Sequence, residues 1–324
     1  MNARTTILLV VILVVLGVVA TLTESNRKKQ WKPTGNRLFP EYVKEDADFV
    51  DLTKGNLHVA LAKKNGTWMV ETEKGQPADT ALVEGILGNL EGLTSDDLVS
   101  TKAESHPALE VDSTGVEVKV TTGGSEVAHL IVGKPGPDYM STYIRPADQD
   151  NVYRVPVYLR TQVDRGDQTW RNRNVLTLSQ HDIVSYSTTE GTTKITLTQE
   201  TPGQWRMTAP QESAVDMGLL PMILQSMTNI TAREFADSLS SLADAGLDPP
   251  LRTLEVETRS GERYLLAIGR MNEANQSHVK REGDETVFLV PAGRWNTIFR
   301  TAEELMAPDA PPDPTGDGEA QPGD

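Results

Sequence analysis

The chain has no cysteine among its 324 residues, which excludes a disulfide framework, a thiolate nucleophile and any thiolate-ligated zinc. Histidine is nearly as scarce. His58, His106, His129, His181 and His278 are scattered, with no HExxH or similar spacing, so no metal ligands are assigned and each reads as an exposed polar position. Cations are outnumbered, 31 Lys and Arg against 46 Asp and Glu, giving a formal charge of -15. A nucleic-acid surface needs clustered Lys and Arg, so nucleic acid is excluded as a partner. The lack of cysteine does not fix the redox compartment, because an envelope protein does without disulfides as easily as a cytosolic one.

Against these absences stands one unbroken apolar run. Residues 7–20, ILLVVILVVLGVVA, extend with their neighbours to residues 5–22, long enough for a helix to cross about 30 Å of hydrocarbon. The alternative is a cleaved signal peptide, but the run is long for one, and Val18, Val19, Ala20 and Thr21 do not form an A-x-A site. The expectation is an uncleaved membrane anchor after a short segment, 1–4. Arg4 on one flank faces Arg27, Lys28, Lys29 and Lys32 on the other, and counted alone these charges keep the body cytoplasmic. Residues 23–47, polar and carrying Pro33 and Pro40, read as a tether. Residues 307–324, with Asp309, Asp313, Asp317, Glu319 and Asp324, lack apolar periodicity and read as a disordered acidic tail.

The body between them is written twice. Sliding the chain by 137 positions lays Trp205 on Trp68, Asp216 on Asp79, Leu219 on Leu82, Ile223 on Ile86 and Leu224 on Leu87. One residue less lays Asp248 on Asp112 and Gly269 on Gly133. Matches in unbroken order are the mark of a duplicated unit, here placed at 48–175 and 176–306. In the first, Phe49–Leu52, Leu57–Lys63 and Thr67–Glu71 are separated by Gly55-Asn56 and Asn65-Gly66, which predicts a tight-turned meander. Asp79 is a candidate N-cap, followed by a helical stripe of Leu82, Ile86, Leu87 and Leu90. A hairpin around Gly123-Gly124 and strands at Thr142–Arg145 and Val152–Val155 follow, with Pro156 opening a short helix.

The second unit retraces that order. Its strands are Ile183–Ser187, Lys194–Gln199, Gln204–Thr208, Leu251–Thr258, Glu262–Ile268 and Val287–Val290, and its helix lies within Asp216–Met227. Pro221 implies that this helix starts after Asp216 or is kinked. The fold expected is α+β: two tandem repeats, each a mainly antiparallel sheet with a packed helix, after one transmembrane helix.

The anchor, the Trp followed by a helix near Asp, Gly-Leu-Asp-Pro-Pro at 246–250 and the Gly closing the next strand resemble the bacterial domain-of-unknown-function family 4340 over nearly the whole chain. Glu110-Val111 and Ser113-Thr114 replace Gly246-Leu247 and Pro249-Pro250 in the first copy, so the turn there is expected to differ. The resemblance implies an envelope protein of the inner membrane, body outside the cytoplasm, near components of gliding-motility-type ABC transporters. It supplies no catalytic residues.

Read on their own, the chemically capable positions are few. Ser179, His181, Asp182 and Ser185 contain the parts of a nucleophile, base and orienting acid, but near neighbours on a strand alternate faces, and a strand-entry turn accounts for them better. Gly133-Lys134 and Gly269-Arg270 put a cation after a strand-ending glycine, either an anion site or a solvated turn. Trp68 and Trp205 are either an aromatic platform or large residues filling the gap between sheet and helix. Sequons at Asn65, Asn229 and Asn275 carry little weight in a bacterial chain. No catalytic, cofactor-binding or metal residues are assigned. Two functions stay open: a non-enzymatic envelope scaffold binding a protein partner such as an ABC-transporter component, or a small-ligand binder or hydrolase working between the repeats.

Overall fold

The computed structural model describes residues 36–73 and 75–307. The proposed anchor and most of the acidic tail lie outside them. Among the described residues no helix is long and apolar enough to cross a membrane.

The chain divides between Asn172 and Arg173 into two units. The first is built on one sheet whose strands, in chain order, are β1 (Phe49–Lys54), β2 (Leu57–Lys64), β3 (Thr67–Val70), β4 (Gln76–Pro77), β5 (Leu98–Ser100), β6 (Val116–Thr122), β7 (Ser125–Pro135), β8 (Thr142–Pro146) and β9 (Val152–Val155). The second unit opens with β10 (Asn174–Thr177) and continues with β11 (Ile183–Glu190), β12 (Thr193–Thr201), β13 (Gln204–Ala209), β14 (Ser213–Ala214), β15 (Asn229–Thr231), β16 (Glu234–Phe235), β17 (Arg252–Thr258), β18 (Arg263–Met271), β19 (Gln276–Arg281) and β20 (Val287–Pro291). All the pairings are antiparallel. The first sheet runs β4-β3-β2-β1-β6-β7-β8-β9-β5 and the second β14-β13-β12-β11-β17-β18-β19-β20-β16, the same order strand for strand. Each sheet is two meanders joined at its centre, by β1 with β6 and by β11 with β17.

The local chemistry explains the hairpins. Asn65 and Gly66 both take positive φ, 50° and 83°, as do Gly123 and Gly124, 57° and 81°. Two successive left-handed residues match the right-handed twist of the strands they join. In the first unit the helix Thr80–Glu91 is capped by the Asp79 carboxylate, which accepts from the Ala81 and Leu82 backbone N–H groups. It buries Val83, Ile86, Leu87 and Leu90. Leu82, assigned to the stripe from sequence, is only half-buried. The second helix begins later, at Leu220, with Pro221 in its first turn, where the missing N–H costs nothing. Asp216 instead closes the preceding turn, accepting from Gly218 N at 2.7 Å.

Two expectations from sequence are corrected. Pro156 does not open a helix; it sits in a bend, and the short helix is Arg160–Val163. The units also begin earlier than predicted. Arg37 bridges Thr94 just as Asn174 bridges Thr231, 137 positions on. Tyr42 and Ala47 lie in the first core, and Val175 and Leu176 in the second. So residues 36–47, read as tether, and 173–175, read as the end of the first repeat, are the opening segments of the two copies. Backbone bonds tie each to the stretch that follows the helix, Leu38 N to Leu93 O and Ala232 N to Arg173 O, both at 2.9 Å.

Candidate functional site

The sequence-predicted candidates do not converge. His181 and Asp182 form a short 3-10 turn, Gln180–Asp182, and both are exposed, as is Ser179. Their backbone carbonyls accept from Arg259, Asp182 O at 2.7 Å from its N–H and His181 O at 3.4 Å from Nη2. The Ser185 hydroxyl turns across the sheet and donates to Leu197 O at 3.1 Å. These residues are the strand-entry turn of β11.

The remaining histidines serve local structure, and His106, expected from sequence to be exposed, is buried. His58 Nε2 lies 2.9 Å from Asp51 Oδ2, His106 Nε2 lies 2.9 Å from Asp150 O, and His278 Nδ1 lies 2.8 Å from Arg270 O. His129 sits between Glu117, 2.7 Å from Nε2, and Glu126, 3.2 Å from Nδ1. Lys119 also bonds Glu117 at 2.9 Å, and hydrogen bonds from Lys119 and His129 hold the Glu117 carboxyl below its ordinary value. This is a cross-strand charge lattice on an open sheet face. Among the described residues no group of three His, Asp or Glu is placed to hold a metal ion.

The repeated glycines have a steric cause. A Cβ at Gly133 would fall 2.4 Å from Leu109 O, and one at Gly269 would fall 2.1 Å from Ala245 O. The two carbonyls stand at matching positions, 24 residues before each glycine. The loop crossing this point also keeps its shape: Glu110 takes φ 55° where Gly246 takes 68°, and Val111 N bonds His106 O as Leu247 N bonds Leu242 O. The turn expected to differ at Glu110 is therefore the same there. It diverges only afterwards, where the Asp112 carboxylate accepts from Thr114 and Asp248-Pro249 is cis. The backbone amide of Arg270 is spent on Ala245 O at 2.7 Å, so it is not open to an anion.

Trp68 is fully buried and Trp205 is 8% exposed, so both fill core rather than form a platform. The Trp68 indole donates to Glu84 Oε1 at 3.3 Å, and Trp205 packs on Tyr186 with ring centroids 6.5 Å apart. Several shallow clefts remain among the described residues. One, in the second unit, is lined by Glu190, Phe299 and Arg300 among others, with a volume of about 260 Å³. Another, in the first unit, lies among Thr94, Asp96, Asp97, Asp138, Ser141 and Arg154. The Asp138 carboxyl is held below its ordinary value by hydrogen bonds from the Ser141 hydroxyl and the Met140 and Ser141 amides. Sequence reading gave no signal for either, because the lining residues come from segments far apart in the chain, β11 and β12 with residues 299–302 in one and residues 94–97, 138–141 and 154–156 in the other.

These features define a duplicated α+β protein whose shared residues are residues of fold. The chain belongs to the family described as Domain of unknown function (DUF4340), whose model matches residues 68–250 and again 205–310. The two matches begin at Trp68 and Trp205, the pair that sets the repeat. No curated protein matches the chain, and no solved structure does.

Proposed function

We propose that the chain is a membrane-anchored, non-enzymatic interaction module of the cell envelope, its body outside the cytoplasm, working within an ABC-transporter-type assembly. The observation that carries this reading is what the two copies hold in common. Trp68 and Trp205 plug cores, Gly133 and Gly269 admit a loop carbonyl, and Asp79 and Asp216 shape the approach to each helix. A duplicated enzyme would be expected to concentrate acids, bases or nucleophiles at strand ends in one copy, whereas His181, Asp182 and Ser185 are spread over a turn and a sheet face. The apolar run at 7–20 supplies the anchor, and the sheets offer short open edges of the kind used in strand addition.

The test is made in the producing cells. Replacing His181 and Asp182 by Ala should leave function and complex size unchanged, while deleting residues 5–22 should abolish both. Loss of function in a normally folded His181/Asp182 variant would replace this reading with a catalytic one. Protease added to spheroplasts should remove the body, and full protection would sink the outward orientation.

A further inference from the structure

The duplicated fold provides an internal reference, because a residue needed only for folding has a counterpart doing the same work in the other copy. The turn between β7 and β8 breaks that rule. In the second unit the turn between β18 and β19 is closed by Asn272 N donating to Gln276 O at 2.8 Å, and its left-handed position is Asn275, φ 58°. Asn is one of the few residues that tolerate this region. In the first unit Gly136 N donates to Ser141 O at 2.9 Å, and the left-handed position is Tyr139, φ 56°. Matching bonds, Tyr139 N to Gly136 O at 3.0 Å and Asn275 N to Asn272 O at 3.1 Å, fix the equivalence. The first turn is one residue longer, and the extra residue is Met140.

A bulky aromatic at positive φ is a conformational outlier that the fold, as the second copy shows, does not require. The side chains gained are not buried either. Tyr139 is 78% and Met140 76% exposed, the highest values among large apolar side chains of the described residues. Asp138 holds the turn rigid by accepting from Met140 N, Ser141 N and the Ser141 hydroxyl.

A second substitution of the same kind lies beside it. Edge strand β5 pairs with β9 through Leu98 and Tyr153, and edge strand β16 pairs with β20 through the matching Glu234 and Leu289. Where the second copy shows a carboxylate, the first shows Leu98, 50% exposed, followed by Val99, 41% exposed. The cleft containing Asp97, Asp138 and Arg154 connects this edge to the Tyr139 turn. Asp96, Asp97 and Asp138 gather there against one guanidinium, Arg154, which is 2.6 Å from Asp97. The surface is therefore apolar, negative and open along one strand.

We propose that Leu98, Val99, Tyr139 and Met140 form a protein-docking surface that takes an extended apolar segment flanked by Lys or Arg, laid alongside β5. The carboxylates select the basic flanks and disfavour an anionic lipid surface, while Tyr139 is an aromatic anchor of the kind that dominates interface energetics and Met140, on the same Asp138-held turn, is an adaptable apolar contact beside it. This rests on the interaction-module reading above and gives that module a face and a partner chemistry.

The test uses the full chain in detergent, carrying photoreactive benzoylphenylalanine at 139, at 140 or, as the matched control, at 275. The probes are a ten-residue peptide of alternating Val and Lys, its Val–Glu analogue, and vesicles of phosphatidylglycerol and phosphatidylethanolamine. Labelling of the Val–Lys peptide should be at least tenfold greater from 139 and 140 than from 275, and the Val–Glu peptide should not label. Tyr139→Asn, which installs the second copy's residue, should weaken Val–Lys binding about tenfold while leaving the thermal midpoint equal or higher, an outcome a purely structural tyrosine would not give. Equal labelling from 275, equal binding of the two peptides, labelling of lipid alone, or chain-to-chain cross-links would each overturn the proposal. Native gels separate this failure from that of the module reading. A complex that keeps its size in the Tyr139→Asn, Leu98→Lys double variant leaves the module standing and removes this face, whereas a wild-type chain that runs alone removes both.

Discussion

The two repeats share every step of their strand order, yet they fasten the end of the unit to the sheet with different chemistry. In the first, the short helix Arg160–Val163 ends at Asp164, whose carboxylate bonds Lys54 Nζ at 2.6 Å and Arg160 Nε at 3.0 Å. In the second, the helix Trp295–Ile298 ends at Phe299, with the same capping bond from its N–H to the carbonyl four residues back. Arg252 stacks over the Phe299 ring at 5.3 Å and reaches Glu190, the residue ending β11 as Lys54 ends β1, at 3.6 Å. An ion pair in one copy is a cation–π contact in the other. What the two copies share is the place of the latch, while the interaction that closes it differs.

The comparison can be broken first at the tryptophans. Trp68→Ala and Trp205→Ala should each cost roughly 3–5 kcal/mol, as large buried aromatics do. The loss at Trp68 should be the greater, because it is fully buried and also bonds Glu84. Chemical denaturation of the two variants measures both; a change below about 1 kcal/mol at either position would end the claim that they are equivalent core plugs.

Next come the glycines. Gly133→Ala and Gly269→Ala push a methyl against a backbone carbonyl, and overpacking of this kind costs about 1–3 kcal/mol. Similar losses in the two copies sharpen the equivalence, whereas a neutral Gly269→Ala, at the tighter of the two sites, would contradict the geometry.

The smallest effect separates the latches by pH. Burial works to raise the Asp164 carboxyl, but hydrogen bonds from Lys54 and Arg160 outweigh it, so its folded value lies below the ordinary one. A depressed carboxyl contributes stability that is full above the unfolded value, about 3.9, and is lost as pH falls through the folded one. Asp164→Asn should therefore cost on the order of 1 kcal/mol near neutrality, and the gap from wild type should close in acid. Phe299→Leu, at the matching position, should give a loss that does not change over the same pH range. A pH-independent loss for Asp164→Asn would show that its charge is not what holds the latch.

Much of this was legible in the chain. Asn65-Gly66 and Gly123-Gly124 announce their turns because only such residues accept two left-handed positions, and Asp79 announces a helix because its side chain replaces missing backbone acceptors. The edges were harder. Leu98–Ser100 and Glu234–Phe235 are too short to show alternation, and β19 reads as polar because Gln276, Ser277 and His278 carry its first half. Arg37 and Asn174 were missed for another reason: a single bridge, or a pairing of three residues, to a segment 57 residues away leaves no periodic trace. The docking face was invisible for the same reason. Tyr139 and Leu98 are ordinary residues in the sequence, and become unusual only when φ, exposure and the counterpart residue are known together.

The shared strand order carries a hazard for the growing chain. Because β1 and β11 are built to the same plan, as are β6 and β17, each can in principle find the other copy's partner, and tandem homologous units are prone to such exchange. Both partners of the β1–β6 pairing precede Arg173 in the chain by about 50 residues or more, and Trp170, the last residue of the first core, lies only two residues ahead of the division between the units. Synthesis from the amino end thus hands the first copy all of its own strands before the second has any to offer. Domains generally fold amino end first as they are made, so the order of emergence from the ribosome favours pairing within each copy over trading of halves.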